Sequence, residues 1–401
     1  MRVLNVHNYH IGHGGMEVLH ESLTRLLRAR GHAVQELVRH NEAIDTPLKK
    51  LVAVGSGVYS PSAKRDTAEA IRTFRPDVAH LFNLYPQLSV SVIDACHCAG
   101  VPVVLHVQDY KLTCPTAQHL RDGQPCHACL GGREYNAARY NCRGSRAMST
   151  AYAVRNAAVR LSRRVHERVS RFITPTRFVR DLTVNAGYPA DRMEVIPNFF
   201  DLPDADACTP PTAQGGYVAY VGRISPEKGL DVLLEAARIS GLPVKIAGDP
   251  SAMPQLAAQA SPSVQFVGKL GRGEVGPFLN GARFLVVPSV WYEAFGIVAA
   301  EAMARLRPVI ASDIGGLPEV VQHERTGLLV PPNDAAALAA AMCRLWDDTP
   351  LNHRLAEAAR IDAQARFTTD AFYERLIPAY RRAAELVADR TTPPGRAVVT
   401  S

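Results

Sequence analysis

No stretch of the chain approaches the ~18–20 consecutive apolar residues that a membrane-spanning helix needs. The opening Met1-Arg2-Val3-Leu4-Asn5-Val6-His7 also lacks the long apolar core of a secretory leader, so the expectation is a soluble cytoplasmic protein. Charge is sparse: 21% of the 401 residues are charged against 47% apolar, a balance that excludes disorder. It leaves core enough for about two to three domains at the usual ~100–200 residues each. Low-complexity tracts and repeats at a fixed period of ~20–50 residues are absent, which excludes solenoids and collagen. Cysteine is limited to eight residues, and in a reducing cytosol any clustering among them points to metal binding or packing rather than disulfides.

Positive charge is present but confined. The net balance is 45 − 38 = +7, yet Arg139 to Arg180 holds eleven arginines against the single acid Glu167, a local +10 that leaves about −3 for the rest. Short apolar runs alternate with amphipathic stretches along the whole chain, the pattern of an α/β protein with parallel sheets crossed by helices. In the first half Val3–Val6, Val34–Val38, Asp77–Phe82, Val101–Val107 and Arg171–Thr174 read as strands, with helices at Met16–Arg30, Asp66–Phe74 and Leu88–Ala99. In the second half Tyr217–Val221, Val244–Ala247, Val264–Val267, Phe284–Val287 and Pro308–Ala311 read as strands, and Gly229–Ile239, Gly273–Asn280, Phe295–Arg305 and Asp334–Trp346 as helices. Ile196–Asp201, followed by Pro203, Pro210, Pro211, Gly215 and Gly216, cannot continue a helix or central strand and marks the boundary. Each half opens with a strand, a glycine-bearing turn and a helix: Leu4–Val6 into Gly12-His13-Gly14-Gly15, and Tyr217–Val221 into Gly222. Two doubly wound sheets would face the carboxyl ends of their strands across one cleft. The tail from Thr391 to Ser401 is expected to fray.

Two blocks carry chemistry suited to that cleft. In Gly222-Arg223-Ile224-Ser225-Pro226-Glu227-Lys228-Gly229 a strand ends at a glycine that lets a ligand approach the backbone, and two cations follow five residues apart. Arg223 offers a fork suited to phosphate and Lys228 a movable point charge. In Glu293-Ala294-Phe295-Gly296-Ile297-Val298-Ala299-Ala300-Glu301 a helix beginning near Phe295 would aim its first N–H groups at an anion. Eight residues at ~1.5 Å put Glu293 and Glu301 up to ~12 Å apart, too far for a paired acid and base but suited to gripping two ends of one ligand. Taken singly, these are equally the exposed cations and solvated glutamates of ordinary surfaces.

Together the blocks resemble the retaining glycosyltransferases of family 4, which have the two-domain GT-B fold. The resemblance spans nearly the whole chain. It rests on Gly14-Gly15-x-Glu17 with Arg30-Gly31-His32, Gly222-Arg223 through Gly229-Leu230, Gly248-Asp249, Val267-Gly268, Glu293-x7-Glu301, and Gly315-Gly316-Leu317-Pro318-Glu319 with Gly327-Leu328-Leu329-Val330. It implies an N-terminal acceptor-side domain over residues 1–195 and a nucleotide-sugar domain over 196–369, with a helix near Asp370 to Asp389, capped by Thr369, crossing back onto the first. It also implies roles. Arg223 and Lys228 would bind the donor diphosphate, Glu293 with the backbone of Ala294, Phe295, Gly296 and Ile297 the transferred sugar, and Glu301 the ribose. Gly14 and Gly15 would approach the donor, and Lys269 and Leu270 would line the base pocket. No catalytic metal is expected, since cations and a helix N-terminus can neutralise a departing diphosphate.

Three features stand apart from the family pattern or beyond it. Where the family stretch ends in His-Asp-Tyr, this chain has Gln108-Asp109-Tyr110, and His106 lies two residues earlier on the same strand face, an open substitute for the missing imidazole on the acceptor side. Cys114, Cys126, Cys129 and Cys142, spaced C-x11-C-x2-C-x12-C, suit a tetrahedral structural zinc pinning an insertion over about residues 110–145. A subset of family 4 carries the same Asp-Tyr-Lys-Leu-x-Cys-Pro start; four free thiols are the alternative, and His119 or His127 could replace a ligand. Arg143, Arg146, Arg155, Arg160, Arg163, Arg164, Arg168 and Arg171, interleaved with apolar residues at helical spacing, suit contact with an anionic membrane, where lipid-linked acceptors reside. They equally suit a solvated helix face.

The expected activity is transfer of a sugar from a nucleotide-diphosphate sugar to the hydroxyl of a glycan or lipid-linked acceptor, with retention, in polysaccharide, glycolipid or glycoconjugate synthesis. A GT-B epimerase or phosphorylase is the alternative. A zinc-containing nucleic-acid-binding protein would use only residues 114–180 and leave the second domain idle, so no nucleic-acid partner is expected.

Overall fold

The structure, a computed structural model, describes residues 1–10, 14–41, 55–203 and 216–391. Gly12, His13, Cys208, Pro210, Pro211, Gly215 and the tail from Thr392, all noted above, lie outside the described residues.

Fourteen strands in the described residues form two six-stranded sheets and one hairpin. The first domain contains β1 (Arg2–Tyr9), β2 (Ala33–His40), β3 (Val78–Leu81), β4 (Val103–His106), β7 (Arg171–Thr174) and β8 (Met193–Val195), in the order β2-β1-β3-β4-β7-β8. The hairpin pairs β5 (Leu120–Arg121) with β6 (Gln124–Pro125). The second domain contains β9 (Val218–Val221), β10 (Val244–Ala247), β11 (Val264–Gly268), β12 (Phe284–Val287), β13 (Val309–Ser312) and β14 (Gly327–Val330), in the order β11-β10-β9-β12-β13-β14. Every pairing within the two large sheets is parallel. Parallel sheets are covered on both faces, which explains why β1 is buried from Val3 through Asn8 instead of alternating. In β12 Leu285 and Val287 join one apolar cluster and Phe284 and Val286 the other, so one strand feeds two cores through its two-residue period.

The chain crosses between the domains twice, and aromatic neighbours mark the crossing. Phe199 packs into the first domain's core and Phe200 into the second's, side by side in sequence. The Phe199 ring lies 4.3 Å from that of Phe372, and the Phe200 N–H donates to the Phe367 carbonyl at 3.2 Å. The final helix, Thr369–Thr391, lays Phe372, Leu376, Ala379, Tyr380 and Ala383 against Val3, Leu19, Val104 and Ile173, so the C-terminal segment completes the first domain's core.

The structure differs from the sequence reading in several places. β8, β14 and the Thr349–Arg366 helix carried no distinct periodic signal. The last helix is capped by Thr368, whose hydroxyl accepts from the Ala371 N–H at 3.0 Å, rather than by Thr369. The helix expected to begin near Phe295 begins at Ile297 and runs to Ala304. Gly296 stands at φ +84°, which ends helical geometry there and turns Phe295 inward against Phe367, with ring centroids 5.3 Å apart. Glu293 therefore lies in the extended segment before the helix, and a helical rise does not measure its separation from Glu301.

Candidate functional site

The carboxyl edge of the second sheet is made of glycines because backbones pass close to one another there. Gly222 donates to the Ala247 carbonyl and Gly248 to the Gly268 carbonyl, and a Cβ on Gly248 would stand 2.5 Å from the Gly222 oxygen. Lys269, exposed, and Leu270, partly buried, continue this edge. From Gly222 the chain enters a short 3-10 turn, Pro226–Lys228, and then the Leu230–Ser240 helix through Gly229 at φ +65°. A Cβ on Gly229 would lie 2.0 Å from the Pro288 oxygen, so only glycine lets the turn bearing the two cations pack under the segment bearing Glu293.

That packing brings Lys228 and Glu293, 65 residues apart, into one ion pair. The Lys228 Nζ donates to Glu293 Oε1 at 2.5 Å and lies 5.2 Å from the centre of the Trp291 ring, while the Ser289 hydroxyl donates to the same carboxylate oxygen at 2.7 Å. Burial alone would raise the Glu293 pKa, but the Lys228 charge and these hydrogen bonds outweigh it and hold the carboxyl below its ordinary range. Arg223 behaves differently: its side chain is 70% exposed and, among the described residues, reaches only Glu227, at 3.2 Å. The pair of cations thus consists of one ammonium held by a buried carboxylate and one guanidinium open to solvent. The Ile297–Ala304 helix has no side-chain cap at Gly296; in its first turn the Ala299 N–H donates to the Gly296 carbonyl at 3.0 Å, so Ile297 and Val298 present the N–H groups suited to another acceptor. Glu301 is partly buried within this helix.

The first domain presents its own helix start to the same place. The Gly15–Ala29 helix begins at Gly14, whose N–H donates to Glu17 Oε2 at 3.0 Å, and a Cβ on Gly15 would stand 3.8 Å from Ile297 Cγ2. The Gly14-Gly15 turn of the first half therefore meets the start of the Ile297–Ala304 helix of the second. Behind them Glu17 is buried, yet hydrogen bonds with His10 and His7 hold its carboxyl far below the ordinary range. Lys111 pairs with Asp109 and lies 3.4 Å from His10 Nε2. Burial would raise the Asp109 carboxyl, and the Lys111 charge reverses that.

His106 and Gln108 line the cavity that also contains Asp109, Lys111, Asn83 and Phe82. His106 itself is buried and spent on hydrogen bonds. The Gln108 amide donates to its Nε2 at 2.6 Å and to Asn198 Oδ1 at 2.7 Å, and Asn198 returns a bond to Gln108 Oε1 at 2.9 Å. With Nε2 accepting, His106 Nδ1–H faces His80 Nε2 at 3.2 Å, and His80 Nδ1–H faces the Tyr380 hydroxyl at 2.7 Å. Burial pushes the His106 pKa down to about 3, so this imidazole is neutral at physiological pH. The partly buried end of this hydrogen-bonded chain is Gln108, with Asp109 and Lys111 beside it.

Direct contacts join the domains around the site. The Thr176 hydroxyl donates to the Ala294 carbonyl at 3.0 Å, and Glu319 accepts from the Arg177 and Phe178 N–H groups at 2.8 and 2.7 Å, capping the Arg177–Asn185 helix from the other domain. Sequence reasoning did not single out Ser289, Trp291, Thr176, Gln108's partner Asn198, or Glu227 as Arg223's partner. Glu319 was visible within the Gly-Gly-Leu-Pro-Glu run, and Glu227 within the cation block, but nothing local tells which groups they face.

The four cysteines come together. Cys114, Cys126, Cys129 and Cys142 line one small cavity with His119, Ala128, Ala137 and Tyr140. Among the described residues no three His, Cys, Asp or Glu side chains are placed, as they stand, to hold a metal ion. The arginine segment reads differently once folded. Arg155 is buried, donating to Asn156 Oδ1 and the Pro115 carbonyl. Arg160 pairs with Glu134, Arg163 with Glu167, Arg164 and Arg168 with Asp94, and Arg171 with Glu194. Much of the cationic face expected from sequence is therefore neutralised by carboxylates that lie elsewhere in the chain.

Two doubly wound parallel sheets that oppose their carboxyl edges define the GT-B fold. The comparisons agree with that class and refine it. The family model described as Glycosyltransferase Family 4 matches residues 13–203, and that described as Glycosyl transferases group 1 matches residues 210–362. The first half of the chain is thus similar to the one family and the second half to the other. An alpha-D-kanosaminyltransferase of Streptomyces kanamyceticus is 34% identical over 174 residues, covering 41% of this chain and 45% of that protein. The chain therefore spans less than half the length of the curated relatives it matches. A sucrose-phosphate synthase structure from Thermosynechococcus elongatus superposes with a TM-score of 0.71 at 20% identity, covering 97% of this chain and 99% of that one. The Anabaena protein HepE in complex with UDP-glucose superposes with a TM-score of 0.65 at 20% identity, covering 97% and 100%.

Proposed function

We propose that the protein transfers a sugar from a nucleotide-diphosphate sugar to a hydroxyl acceptor with retention of anomeric configuration, in the synthesis of a polysaccharide, glycolipid or glycoconjugate. The observation that carries this reading is the convergence of the Lys228–Glu293 pair, the open Arg223 guanidinium and the uncapped helix start at Gly296 on one cleft edge.

A diphosphate entering there would meet Arg223 and Lys228, while Glu293 stays fixed by Ser289 and faces the sugar hydroxyls. As the bond from the anomeric carbon to the phosphate oxygen breaks, charge accumulates on the diphosphate, and prearranged cations and N–H groups stabilise that charge without reorganising. The acceptor oxygen bonds to the anomeric carbon on the same face, and its proton passes to the departing phosphate oxygen. Asp109 and Gln108 would border the acceptor, Glu301 the ribose, and Gly268-Lys269-Leu270 the base. The HepE complex favours testing a uridine donor first.

Thermal shift against the common nucleoside diphosphates and their sugars tests this reading, since a ligand at ~100 times its Kd stabilises by about 2.7 kcal/mol. Arg223→Ala should cut the shift at the same ligand concentration to about 1.4 kcal/mol or less, the value for a tenfold weaker ligand. A panel that leaves the wild-type protein unmoved would remove the donor from the proposal, and a product with inverted configuration would remove retention. A donor epimerised without transfer would favour the epimerase alternative. Contact with the anionic membrane surface would rest on Arg143 and Arg146 together with the exposed Met148, Val154 and Leu161.

A further inference from the structure

The segment from Thr116 to Tyr152 is ordered without an apolar core of its own. Ala137 is its single buried apolar side chain among the described residues, and its regular structure up to Tyr140 is a hairpin of two-residue strands and the five-residue Tyr135–Arg139 helix. Ala117, His119, Asp122 and Asn141 all stand at positive φ, a conformation that side chains disfavour. Such a segment needs another source of order. Cys114 just before it and Cys126, Cys129 and Cys142 within it line one cavity.

We propose that Cys114, Cys126, Cys129 and Cys142 bind one structural Zn²⁺ as four thiolates. Three of the four are fixed by their own backbone: the Cys114 N–H donates to the Tyr110 carbonyl at 2.7 Å, Cys126 to His119 at 2.7 Å and Cys142 to Ala137 at 3.0 Å. A cysteine has one side-chain torsion, so each sulfur can swing into the shared cavity without moving these anchors, to the ~2.3 Å that zinc–sulfur bonds require. The structure also excludes His119 as a ligand. One ring nitrogen lies 2.7 Å from the Thr113 hydroxyl and the other 2.8 Å from the Cys126 carbonyl, so both are engaged. A set of four soft thiolates selects zinc over magnesium or calcium. The guanidinium of Arg121, stacked 4.1 Å from the centre of the Tyr140 ring on the cavity wall, is placed to offset the double negative charge of a four-thiolate site.

This site stands apart from the donor site and would act on it only by support. The Tyr110 ring meets His119 at 5.3 Å and Trp291 at 6.4 Å, and Trp291 lies against Lys228. The His127 ring packs against Tyr292 at 5.5 Å, and Asn333 donates to the Gly123 carbonyl. The insertion thus bridges from the first domain to the second beside Glu293.

Elemental analysis of the whole chain, purified from zinc-supplemented culture, tests the proposal. One Zn²⁺ per chain is expected, retained in Cys343→Ser and in His119→Asn and lost in the Cys126→Ser, Cys129→Ser double variant. Exchange with Co²⁺ should give the intense visible absorption of a tetrahedral tetrathiolate, a readout on wild-type protein that holds even if the double variant fails to fold. Protein without bound metal whose four thiols react freely, a mass showing disulfides, an iron–sulfur chromophore, or loss of zinc in His119→Asn would each overturn it. Metal content is independent of nucleotide binding, so this result and the donor screen fail separately.

Discussion

At the scale of single residues the two donor-side cations should be separable. Arg223 is mostly exposed and, among the described residues, pairs only with Glu227, so Arg223→Ala should leave the denaturation midpoint nearly unchanged while weakening nucleoside-diphosphate binding at least tenfold. Lys228→Ala should do both. It removes the charge that holds a buried carboxylate, at a cost of about 1–3 kcal/mol, and adding Glu293→Gln should restore part of that stability without restoring binding. Denaturant titration beside calorimetry distinguishes the two. A Lys228→Ala protein as stable as wild type would contradict the ion pair.

Buried imidazoles make a second residue-scale prediction. Burial lowers the pKa of His20 and His106 to about 3 and that of His80 well below the ordinary value, so the unfolded chain binds protons that the native one refuses. Their contribution to stability is complete above the unfolded value near ~6.5 and falls as pH drops below it, by up to about 1.4 kcal/mol per pH unit for each proton. The depressed carboxylates Glu17, Asp109 and Glu293 add a further loss below ~4.3, where they protonate in the unfolded chain. Urea midpoints measured at pH ~7.5 and ~5 should therefore differ, and His106→Asn should flatten the dependence. The arginine count illustrates what sequence does not disclose at this scale. Asp94, far upstream and inside an apolar helix, takes both Arg164 and Arg168, and no local pattern predicts such a pairing.

At the scale of elements, strand positions were legible because parallel strands buried on both faces leave continuous apolar runs, as in Phe284–Val287 and Val218–Val221. Helix starts were less so. The break at Gly296 is decided by Leu317, whose Cδ2 would stand 2.6 Å from a Cβ there, a tertiary fact invisible in the local sequence. Likewise the arrangement of Ser289 and Trp291 around Glu293 arises from a loop after β12 whose path depends on Gly229. Glycine substitutions should follow the same logic. Gly229→Ala drives a methyl into the Pro288 carbonyl and should cost roughly 3 kcal/mol or more, whereas Gly31→Ala, also at positive φ but in open space, should cost only about 1–2 kcal/mol. Equal costs for the two would show that the clash with Pro288 is relieved elsewhere.

At the scale of the molecule the doubled domain plan was legible from two strand–glycine–helix openings, and the contacts that orient the domains were not. Glu319 caps a helix of the opposite domain with two backbone hydrogen bonds, and Thr176 fastens to Ala294 beside it. Glu319→Ala should loosen this junction. Small-angle scattering is expected to show a larger radius of gyration for the variant without ligand and compaction on saturation with nucleoside diphosphate. A radius unaltered by both changes would argue against a mobile cleft.

The return of the last helix to the first domain has a practical corollary for anyone dissecting the molecule. Phe372, Leu376 and Tyr380 are built into a core whose other half is encoded between Val3 and Phe199, and His80 bonds to Tyr380. Severing the polypeptide near residue 200 would yield neither lobe intact: the amino-terminal fragment would lack a wall, and the carboxyl-terminal fragment would carry a greasy orphan helix. A workable amino-terminal lobe would instead be a fusion in which Thr369–Thr391 is spliced behind the Ile196–Asp201 segment.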